Sequence, residues 1–597
     1  MMEPFETIDI QELPLSVPSV RRQVEDFLGS NGLRLGEVDL YLAVLSEDGA
    51  ILAGGGLQRD ILKCLAVSAE ARSLGLSVPL VSRLISVASE RGCTNVKVFT
   101  KPENRALFES LGFKLLAEAP KAILLENGRG LADYCAYLRA HQAPGVIIMN
   151  ANPFTLGHRY LIEQADFSTR PTGLGRNDKS SVISSDARRA ESRNLVIIPV
   201  KEDASRFSYA ERLAMIRSGA GDWADVVEGS DYQISAATFP TYFLKNLSDV
   251  AETQMRLDID LFGRHIAPAL GARVRYVGSE PADPLTARYN ALMKELLPKY
   301  GVQLVEIQRL ACSPDGTKDS STPPAAPLRM TKGTTPELVK GPVTATEVRA
   351  LLDEGRFKAA SALTPESTWP YLLADLAERA LRMELDTPMK PGLVGPDSVG
   401  AHKDMDYDVM RKGIAAIRPF FPRMALAETP EELRQLGIDA EAAMLAATGG
   451  VNTHRGAIFA LGLALYRQPI AETAALLDNG SSKRREAGIR GAMQMAKDGY
   501  KELFEDWLPY YRACHFERNR EICTLLRIMA TLDDTCVIHR AGYARAQEIK
   551  AEAKTLADHF DKEKLKEMCD RYAAEGISPG GAADMLALTI FIDSIFN

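Results

Sequence analysis

The chain of 597 residues exceeds the usual size of one domain and predicts about three or four. Its net charge of −8 argues against a nucleic-acid-binding protein, because such proteins present a basic surface. The eight cysteines are scattered without a C-x-x-C pair, which argues against a disulfide framework and a zinc site. We find no signal peptide and no apolar run of transmembrane length, so we expect a cytoplasmic protein without a membrane partner.

Residues 1–135 combine short apolar strands with an amphipathic helix, which predicts an α+β domain. The strands are expected at Leu40–Leu45, 51–56, Ile61–Val67 and Val96–Thr100, with a hairpin at 47–49 and the helix over 78–91. The small-residue turn Arg72-x-x-Gly75-x-Ser77 stands directly before the helix. The backbone N–H groups of such a turn suit a pyrophosphate.

This turn resembles the pyrophosphate loop of the GNAT acyltransferase family, with Ser77 where glycine or alanine is more usual. Asn104 opens a stretch that resembles a later motif of the same family. The resemblance implies that Arg72, Gly75, Ser77 and Asn104 bind a CoA-like molecule. The segment shows no clear acid or base, so an active acyltransferase and a retained binding fold both stay open.

Residues 140–372 alternate buried strands with helices, which predicts a doubly wound α/β sheet. The strands are expected at 146–149, 195–200 and 274–277. Candidate binding residues follow each strand: Asn152 and Phe154; Lys201 and Arg206; Gly278, Ser279 and Glu280. The first strand leads through a turn to Thr155-Leu-Gly157-His158 at a helix start, where free N–H groups attract phosphate. His158 can donate to a phosphorus centre under attack.

A second helix start is predicted at Thr344, which with Glu347 forms a capping box ahead of Arg349. Two phosphate sites in this order resemble the two motifs of the nucleotidylyltransferase superfamily. The stretches 150–161, 200–209 and 237–245 narrow the resemblance to the citrate lyase ligase family, over about residues 1–372. The segments 167–194 and 311–341 lack periodicity and are predicted to be insertions, either lids or segments without function.

The ligase resemblance implies that acetate attacks the α-phosphorus of ATP to give acetyl-AMP and pyrophosphate. The acetyl group would then pass to the prosthetic-group thiol on the acyl carrier subunit of citrate lyase. By position, His158 and Thr155 would hold the α-phosphate, and Arg349 with Thr346 the β- and γ-phosphates. The remaining ATP-binding residues would be Asn152, Phe154, Gly157, Lys201, Arg206, Gly278, Ser279, Glu280 and Thr344.

Residues 375–597 lose the strand pattern and are rich in helix formers, which predicts an all-α domain. Polar clusters interrupt the helices and contain Lys390; His402, Lys403, Asp404 and Asp406; Asn452, His454 and Arg455; Arg490; and Asp533, Asp534 and His539. These four aspartates, together with Asp584 in the last cluster (578–584), suit Mg²⁺, which prefers oxygen ligands and bridges to phosphates. Asp533 and Asp534 are expected on a helix, where neighbours point about 100° apart.

The clusters resemble the triphosphoribosyl-dephospho-CoA synthase family over about residues 380–597. The stretches that carry the resemblance are 390–394, 401–406, 448–456, 531–535 with 539–540, and 578–581. Ala492 departs from the family, which has an acidic residue there. The resemblance implies that the 2′-hydroxyl of dephospho-CoA replaces adenine on the ribose of ATP. Lys390, His402, Lys403, Asn452, His454, Arg455, Arg490 and His539 would bind ATP, while the aspartate pairs would bind Mg²⁺ or stabilise the ribosyl cation.

The two resemblances together predict a bifunctional enzyme that prepares and acetylates the citrate lyase prosthetic group. A second enzymatic hypothesis is a pantetheine or nicotinamide nucleotide adenylyltransferase fused to a malonate decarboxylase cofactor synthase. A non-enzymatic hypothesis applies to the first domain alone, which would then be an acetyl-CoA-binding regulator.

Overall fold

The computed structural model describes residues 8–169, 194–202, 205–233, 247–279, 283–308, 343–478, 491–514 and 519–596. The predicted insertion 311–341, most of 167–194, Glu280 and Arg490 lie outside these ranges. The chain divides into two compact units, residues 1–152 with 157–310 and residues 153–156 with 311–597. Within the described ranges, no helix has the length and apolar character needed to cross a membrane.

The first unit begins with a seven-stranded mixed sheet in the order β1-β2-β3-β4-β5-β7-β6. Its strands are β1 (Gln11–Glu12), β2 (Leu40–Leu45), β3 (Ile51–Gln58), β4 (Ile61–Val67), β5 (Val96–Thr100), β6 (Lys114–Ala119) and β7 (Ala122–Asn127). The accompanying helices are α1 (Pro18–Ser30), α2 (Ser77–Glu90), α3 (Arg105–Ser110) and α4 (Gly130–Leu138). The predicted β2–β3 hairpin is confirmed, and β2, β4 and β5 have the predicted bounds.

One pair of neighbours in this sheet is parallel and short. Strands β4 and β5 pair only through Ile61 with Lys97 and Leu62 with Val98. Beyond Leu62 the two strands separate, while β4 stays paired to β3 and β5 stays paired to β7. The separation opens the sheet between them.

The second sheet of the first unit is entirely parallel, in the order β10-β9-β8-β11-β12. Its strands are β8 (Gly145–Met149), β9 (Leu195–Pro199), β10 (Asp225–Val226), β11 (Val274–Gly278) and β12 (Gln303–Ile307). The helices are α5 (Leu156–Thr169), α6 (Tyr209–Ala220), α7 (Leu247–Leu261), α8 (Ala267–Leu270) and α9 (Pro284–Leu296). Because the strands are parallel, the polar residues after β8, β9 and β11 come to one edge of the sheet.

The two sheets share one hydrophobic core within the first unit. Leu116 and Leu124 of the first sheet belong to the same buried cluster as Val146 and Val196 of the second and Leu257 of α7. A polar anchor accompanies this core. Asp260 is 6% exposed and accepts hydrogen bonds from the Glu118 backbone N–H (2.8 Å), from Arg264 (3.1 Å) and from the Tyr300 hydroxyl.

The second unit contains no strand among its described residues, which confirms the all-α prediction. Its helices are α10 (Ala345–Asp353), α11 (Phe357–Ala362), α12 (Trp369–Asp386), α13 (Tyr407–Ile417), α14 (Phe421–Leu426), α15 (Pro430–Ala447), α16 (Arg455–Leu465), α17 (Ile470–Leu477), α18 (Ala492–Lys497), α19 (Leu508–Ala513), α20 (Arg520–Thr531), α21 (Thr535–Asp558), α22 (Lys562–Glu575) and α23 (Gly580–Phe596). Helix α23 is hydrophobic nearly all round and packs against α12, α16 and α20, which makes it the central helix.

We predict that Asp260→Ala lowers the free energy of unfolding of the first unit by about 3 kcal/mol, because three donors lose a buried acceptor. The measurement is chemical denaturation of the whole chain, followed by the amide hydrogen exchange of the first-unit strands. The control is Asp133→Ala, which removes an exposed ion pair to Arg129 and is expected to cost less than about 0.5 kcal/mol. Equal stability of the two variants would contradict the anchoring role of Asp260.

Candidate functional site

The carboxyl ends of β8 and β9 are joined by the guanidinium of Arg212 on α6. Arg212 is fully buried and donates to the carbonyls of Asn150 (3.1 Å), Val200 (2.7 Å), Glu202 (2.8 Å) and Phe207 (3.1 Å). It also donates to the Asn150 side-chain oxygen at 2.5 Å. A buried cation needs such a complete set of acceptors, so this one side chain determines the path of the backbone after both strands.

The turn after β8 carries further constraints. The Asn150 amide donates to Glu202 Oε2 (2.9 Å), and Asn152 Oδ1 accepts from the Phe207 N–H (3.1 Å). Between them Ala151 has φ +48°, a left-handed conformation that costs a non-glycine residue about 1–2 kcal/mol. Strain held in place by hydrogen bonds on both sides is typical of a loop that presents groups to a ligand.

The sheet edge brings several of the predicted phosphate-binding residues together. Lys201 is about half exposed and lies 3.5 Å from Asp231, and Arg206 is half-buried in the loop that Arg212 orders. At the end of β11, Gly278 faces open space, and the Ser279 N–H donates to the Ile307 carbonyl at 2.9 Å. Glu280 is outside the described residues.

The Thr155-x-Gly157-His158 motif is divided between the two units. His158 and Gly157 begin α5 in the first unit and are half-buried. Residues 153–156 belong to the second unit, where Phe154 is fully buried and Thr155 is 1% exposed. The Leu156 N–H donates to the Leu363 carbonyl (3.0 Å).

The second predicted phosphate motif is an ordered helix start. Thr344 caps α10 by accepting from the Glu347 N–H (3.1 Å), which is one of the two hydrogen bonds of the predicted capping box. Arg349 donates to the Thr346 hydroxyl (3.0 Å) on the first turn of the helix. The assignment of Arg349 and Thr346 to the β- and γ-phosphates stays a prediction.

A cavity of about 380 Å³ lies where β4 and β5 separate. Three of the residues predicted to bind a CoA-like molecule line it, namely Arg72, Ser77 and Asn104. Gly75 lies just before Ser77 in the left-handed conformation (φ +66°), and α2 begins without a side-chain cap. The cavity therefore combines open strand edges with a helix start that has free N–H groups.

In the second unit, Lys390 is buried against Glu384 at the end of α12. Its ammonium donates to the Glu384 carboxylate (2.5 Å) and carbonyl (2.7 Å), and both residues are less than 5% exposed. Gly392, two residues on, has φ +69°, and a Cβ there would lie 1.9 Å from the Ile577 carbonyl oxygen. Only glycine therefore fits where the Lys390 loop meets the segment before α23.

His454 is 3% exposed and lies near this ion pair. Burial and the nearby Lys390 lower the pKa of His454 to about 3, so the imidazole is neutral at physiological pH. Its Nδ1 lies 2.8 Å from the Thr453 hydroxyl, whereas its buried Nε2 has no hydrogen-bond partner among the residues described. A neutral imidazole contacts phosphate as a hydrogen-bond donor and not as a cation.

Asp533 and Asp534 do not lie on a helix, and that expectation is wrong. They form the link between α20 and α21, where Asp534 caps α21 by accepting from the N–H groups of Cys536 (2.8 Å) and Val537 (3.3 Å). It also accepts from the Ala582 N–H (2.9 Å), and burial raises its pKa. Asp533 pairs instead with Lys550 (2.5 Å).

Asp584 on α23 extends the buried cluster. A Cβ at Gly456 would lie 1.9 Å from its carboxylate, so the glycine makes room for the acid. Burial, with added repulsion from Asp534 and Glu384, raises the pKa of Asp584 well above its usual range. Tyr500, fully buried beside Asp584, has a hydroxyl that also lacks a hydrogen-bond partner among the residues described.

The loop before α13 approaches the same region through His402. His402 Nε2 lies 2.8 Å from the Ser578 hydroxyl, and burial together with Arg540 lowers the pKa of His402. Asp404 is exposed and 4.0 Å from His402 Nδ1, whereas Asp406 caps α13 by accepting from the Val409 N–H (2.8 Å). The structure thus joins motifs that are up to about 180 residues apart in sequence.

The other predicted ATP-binding residues of this unit lie at its surface. Lys403, Asn452, Arg455 and His539 are exposed, and Arg455 pairs with Glu441. Arg490 is outside the described residues. Within the described ranges no three His, Cys, Asp or Glu side chains come together as a metal site, and Mg²⁺ binding stays a prediction.

Three residues of these sites were missed at the level of sequence: Arg212, Glu384 and Tyr500. Arg212 stands within a stretch of polar residues after β9, and nothing in that stretch distinguishes a buried guanidinium from a surface one. Glu384 follows the helical pattern of α12, which hides its role as the partner of Lys390. Tyr500 carries no sequence signal, and its unusual φ of +52° is visible only in the structure.

Comparison with known proteins divides the chain into two parts. The family model for the citrate lyase ligase C-terminal domain matches residues 144–174 and 178–322. The model for ATP:dephospho-CoA triphosphoribosyl transferase matches residues 370–467 and 466–597.

Individual relatives follow the same division. The citrate (pro-3S)-lyase ligase of Klebsiella pneumoniae is 36% identical over 386 residues, covering 62% of this chain and 98% of the relative. The ligase of the same name from Escherichia coli K12 is 34% identical, covering 59% of this chain and 89% of the relative. A protein of Stutzerimonas stutzeri named "Probable 2-(5''-triphosphoribosyl)-3'-dephosphocoenzyme-A synthase" is 37% identical, covering 37% of this chain and 91% of the relative.

We predict that Arg212→Met lowers the free energy of unfolding of the first unit by at least about 3 kcal/mol, because four buried carbonyls lose their donor. Denaturant unfolding measures the change. Arg217→Met is the matched control on the same helix, since Arg217 makes an exposed ion pair with Glu228 and should contribute less than about 1 kcal/mol. If the two variants lose equal stability, Arg212 does not hold the strand ends together.

We predict that His454 makes the second unit sensitive to acid. Below pH 6.5 the unfolded chain protonates this imidazole while the folded chain keeps it neutral down to about pH 3. This residue therefore removes about 1.4 kcal/mol of stability per pH unit as the pH falls through that window. The buried carboxyls of Asp534 and Asp584 act in the opposite direction, because protonation relieves their burial.

The difference between wild type and His454→Gln isolates the histidine, since both proteins keep these carboxyls. Between pH 6 and pH 5, the free energy of unfolding should fall by about 1.4 kcal/mol more in the wild type than in the variant. His559→Gln, at an exposed histidine, is the control and should track the wild type. Parallel pH profiles for wild type and His454→Gln would show that the buried imidazole is not kept neutral.

Proposed function

Because the chain belongs to the citrate lyase ligase family through its first part and to the ATP:dephospho-CoA triphosphoribosyl transferase family through its last part, we propose that it is a bifunctional enzyme of citrate lyase activation. The first activity acetylates the prosthetic-group thiol of citrate lyase at the expense of ATP. The second builds the precursor of that group from ATP and dephospho-CoA. Both halves therefore serve one target enzyme.

The ligase reaction would proceed in two displacements. An acetate oxygen attacks the α-phosphorus of ATP and pyrophosphate leaves. The thiolate of the prosthetic group on the acyl carrier subunit then attacks the acetyl carbon, and AMP leaves with the bonding electrons. Negative charge gathers around phosphorus in the first step, so positioned donors and cations are the main requirement.

The observation that carries the ligase proposal is the sheet edge ordered by Arg212. That edge presents Asn152, Lys201, Arg206 and Gly278 together, beside the start of α5 with His158. His158 and Thr155 would stabilise the charge on the α-phosphate, and Arg349 with Thr346 would hold the departing pyrophosphate. The ordered backbone supports this proposal because preorganised donors need no rearrangement as charge develops.

The second reaction would break the bond between adenine and the ribose of ATP. The 2′-hydroxyl of dephospho-CoA forms the new bond to the ribose carbon and loses its proton, while adenine leaves and gains one. The buried groups around Asp584 support this chemistry, because His454 and Tyr500 offer uncharged polar atoms that a ligand can satisfy. The exposed cations Lys403 and Arg455 would hold the triphosphate.

Magnesium would be held mainly by Asp404, whose exposed carboxylate is free of a helix cap, together with phosphate oxygens. This arrangement fits the known preference of Mg²⁺ for one or two carboxylates plus substrate phosphates. Asp406, Asp533 and Asp534 already have partners within the protein. When bound, the ion would neutralise negative charge on the triphosphate. The protein groups around Asp584 would assist the departure of adenine.

The cavity between β4 and β5 would bind a CoA-like molecule without acyl transfer. The ionisable side chains that line it are Arg72, Lys101 and Glu103, which suit an anionic ligand more than proton abstraction. The alternative pairing of a nucleotide adenylyltransferase with a malonate decarboxylase cofactor synthase loses support, because the relatives of the first part are named citrate lyase ligases.

We predict that Arg349→Met lowers acetate-dependent AMP release by about 10²–10³-fold, through loss of charge stabilisation on the leaving pyrophosphate. Lys403→Met should lower adenine release by about tenfold or more, through loss of one phosphate contact. The whole chain is assayed with ATP, Mg²⁺, acetate and deacetylated citrate lyase for AMP, and with ATP, Mg²⁺ and dephospho-CoA for adenine. Each variant is the control for the other, because each should leave the other product unchanged.

Two results would contradict the proposal. Absence of acetate-dependent AMP release from the folded wild type would remove the ligase activity. Absence of adenine release in the presence of both ATP and dephospho-CoA would remove the transferase activity. Each half is therefore tested independently.

A further inference from the structure

A second large cavity, of about 460 Å³, lies in the all-α unit and is distinct from the cluster around Asp584. It is enclosed by the end of α12, the loop after it, the start of α20 and the turn between α21 and α22. The residues that define its chemistry are Met383, Asp386, Met389, Asn519, Phe560 and Lys562. Neither the sequence motifs nor the proposed ATP contacts assign a role to this cavity.

The cavity adjoins the proposed transferase site on two sides. Thr387 and Met389 form part of its wall, and Lys390 of the buried ion pair follows Met389 directly. On another side the Tyr407 hydroxyl donates to Asp386 (2.5 Å), and Tyr407 begins α13 immediately after Asp406. Two separate motif loops, those of Lys390 and Asp406, therefore border the cavity.

The wall nearest Lys390 is held in an unfavourable conformation. Met389 has φ +56°, a left-handed conformation that costs a residue with a side chain about 1–2 kcal/mol. Its carbonyl accepts from the Cys569 thiol (3.3 Å), and its N–H faces the Asp397 carboxylate at 3.3 Å. These contacts stabilise the strained turn. The turn places Met389 in the cavity wall and the Lys390 ammonium against Glu384.

The lining charge disfavours a triphosphate in this cavity. Among the lining residues that the structure describes, Asp386 and Glu521 carry carboxylates and Lys562 carries an ammonium, and Glu521 already pairs with Arg520 (3.5 Å), so a highly charged anion finds little compensating charge there. The apolar part, which includes Met383, Met389 and Phe560, suits a flexible aliphatic chain. The Asn519 amide offers both a donor and an acceptor to a ligand amide, whereas the Thr387 hydroxyl already donates to the Met383 carbonyl (2.7 Å) and can only accept.

We propose that this cavity binds the uncharged, amide-bearing pantetheine arm of dephospho-CoA, while the adenosine end of the same molecule enters the site bordered by Lys390 and Asp406. The inference rests on the proposed transferase function. Small-molecule pockets occupy upward of about 300 Å³, so a cavity of about 460 Å³ has room for the arm. The arm contributes binding of the acceptor and takes no part in bond making or breaking.

The test fills the cavity with Asn519→Trp in the whole chain. Asn519 precedes α20 and makes no side-chain cap there, so the substitution removes no cap hydrogen bond. Lys566→Trp on α22, at an exposed position outside the lining, is the matched control. Adenine release is measured as a function of dephospho-CoA at saturating ATP, and as a function of ATP at saturating dephospho-CoA.

Asn519→Trp is expected to raise the KM for dephospho-CoA by about tenfold or more, with the KM for ATP and the kcat within about twofold of wild type. Lys566→Trp should match the wild type in all three. Phosphopantetheine, which lacks the nucleoside, should inhibit the wild type in competition with dephospho-CoA and should no longer inhibit Asn519→Trp. ADP, which lacks the arm, should inhibit both proteins equally.

Three results would overturn the inference. One is an unchanged KM for dephospho-CoA in folded Asn519→Trp, and another is a rise in the KM for ATP alone, which would place a nucleotide in the cavity. The third needs no variant: phosphopantetheine that neither binds the wild type by calorimetry nor inhibits it. A wild-type protein that releases no adenine would instead contradict the transferase function itself, so the two failures are distinguishable.

Discussion

Burial of the Arg212 guanidinium is the constraint on which the first unit depends. A fully buried cation is tolerated only when its donors are satisfied, and here the acceptors are carbonyls after β8 and β9 together with the Asn150 side chain. Carbonyls beyond the ends of parallel strands have no ladder partner, so the cation and the strand ends satisfy each other. The edge that would receive ATP is consequently held by hydrogen bonds from within the protein itself.

In the second unit, burial shifts the pKa values of several ionisable side chains. The unit buries several carboxyl groups near one lysine, and the pKa values of Asp534 and Asp584 rise while that of His454 falls. Burial thus favours uncharged forms around Asp584, where His454 Nε2 and the Tyr500 hydroxyl have no hydrogen-bond partner among the described residues. Satisfied polar groups in the first unit order a loop, whereas the unsatisfied ones in the second support the proposal of a site completed by its substrate.

The division into two compact units does not follow the division into two families. The transferase match begins at residue 370, yet the second unit already contains 343–368 and the short segment 153–156. The Thr368 hydroxyl donates to the Phe154 carbonyl (3.0 Å), and α12 begins at the next residue and ends at the Lys390 loop. One helix therefore runs from the residues that hold the first phosphate motif to the loop of the second proposed site.

The sequence by itself determined the strands β2, β4 and β5, the order of α/β and all-α regions, and the two family resemblances, because hydrophobic periodicity and motif spacing are local properties of the chain. It also grouped Arg72, Ser77 and Asn104 in one predicted binding site, and the structure shows that these three residues line one cavity. It placed Asp533 and Asp534 wrongly on a helix and missed Arg212, Glu384 and Tyr500. Only the tertiary structure decided the surroundings of these five residues, because burial and hydrogen-bond partners depend on contacts between residues distant in sequence, such as His402 with Ser578.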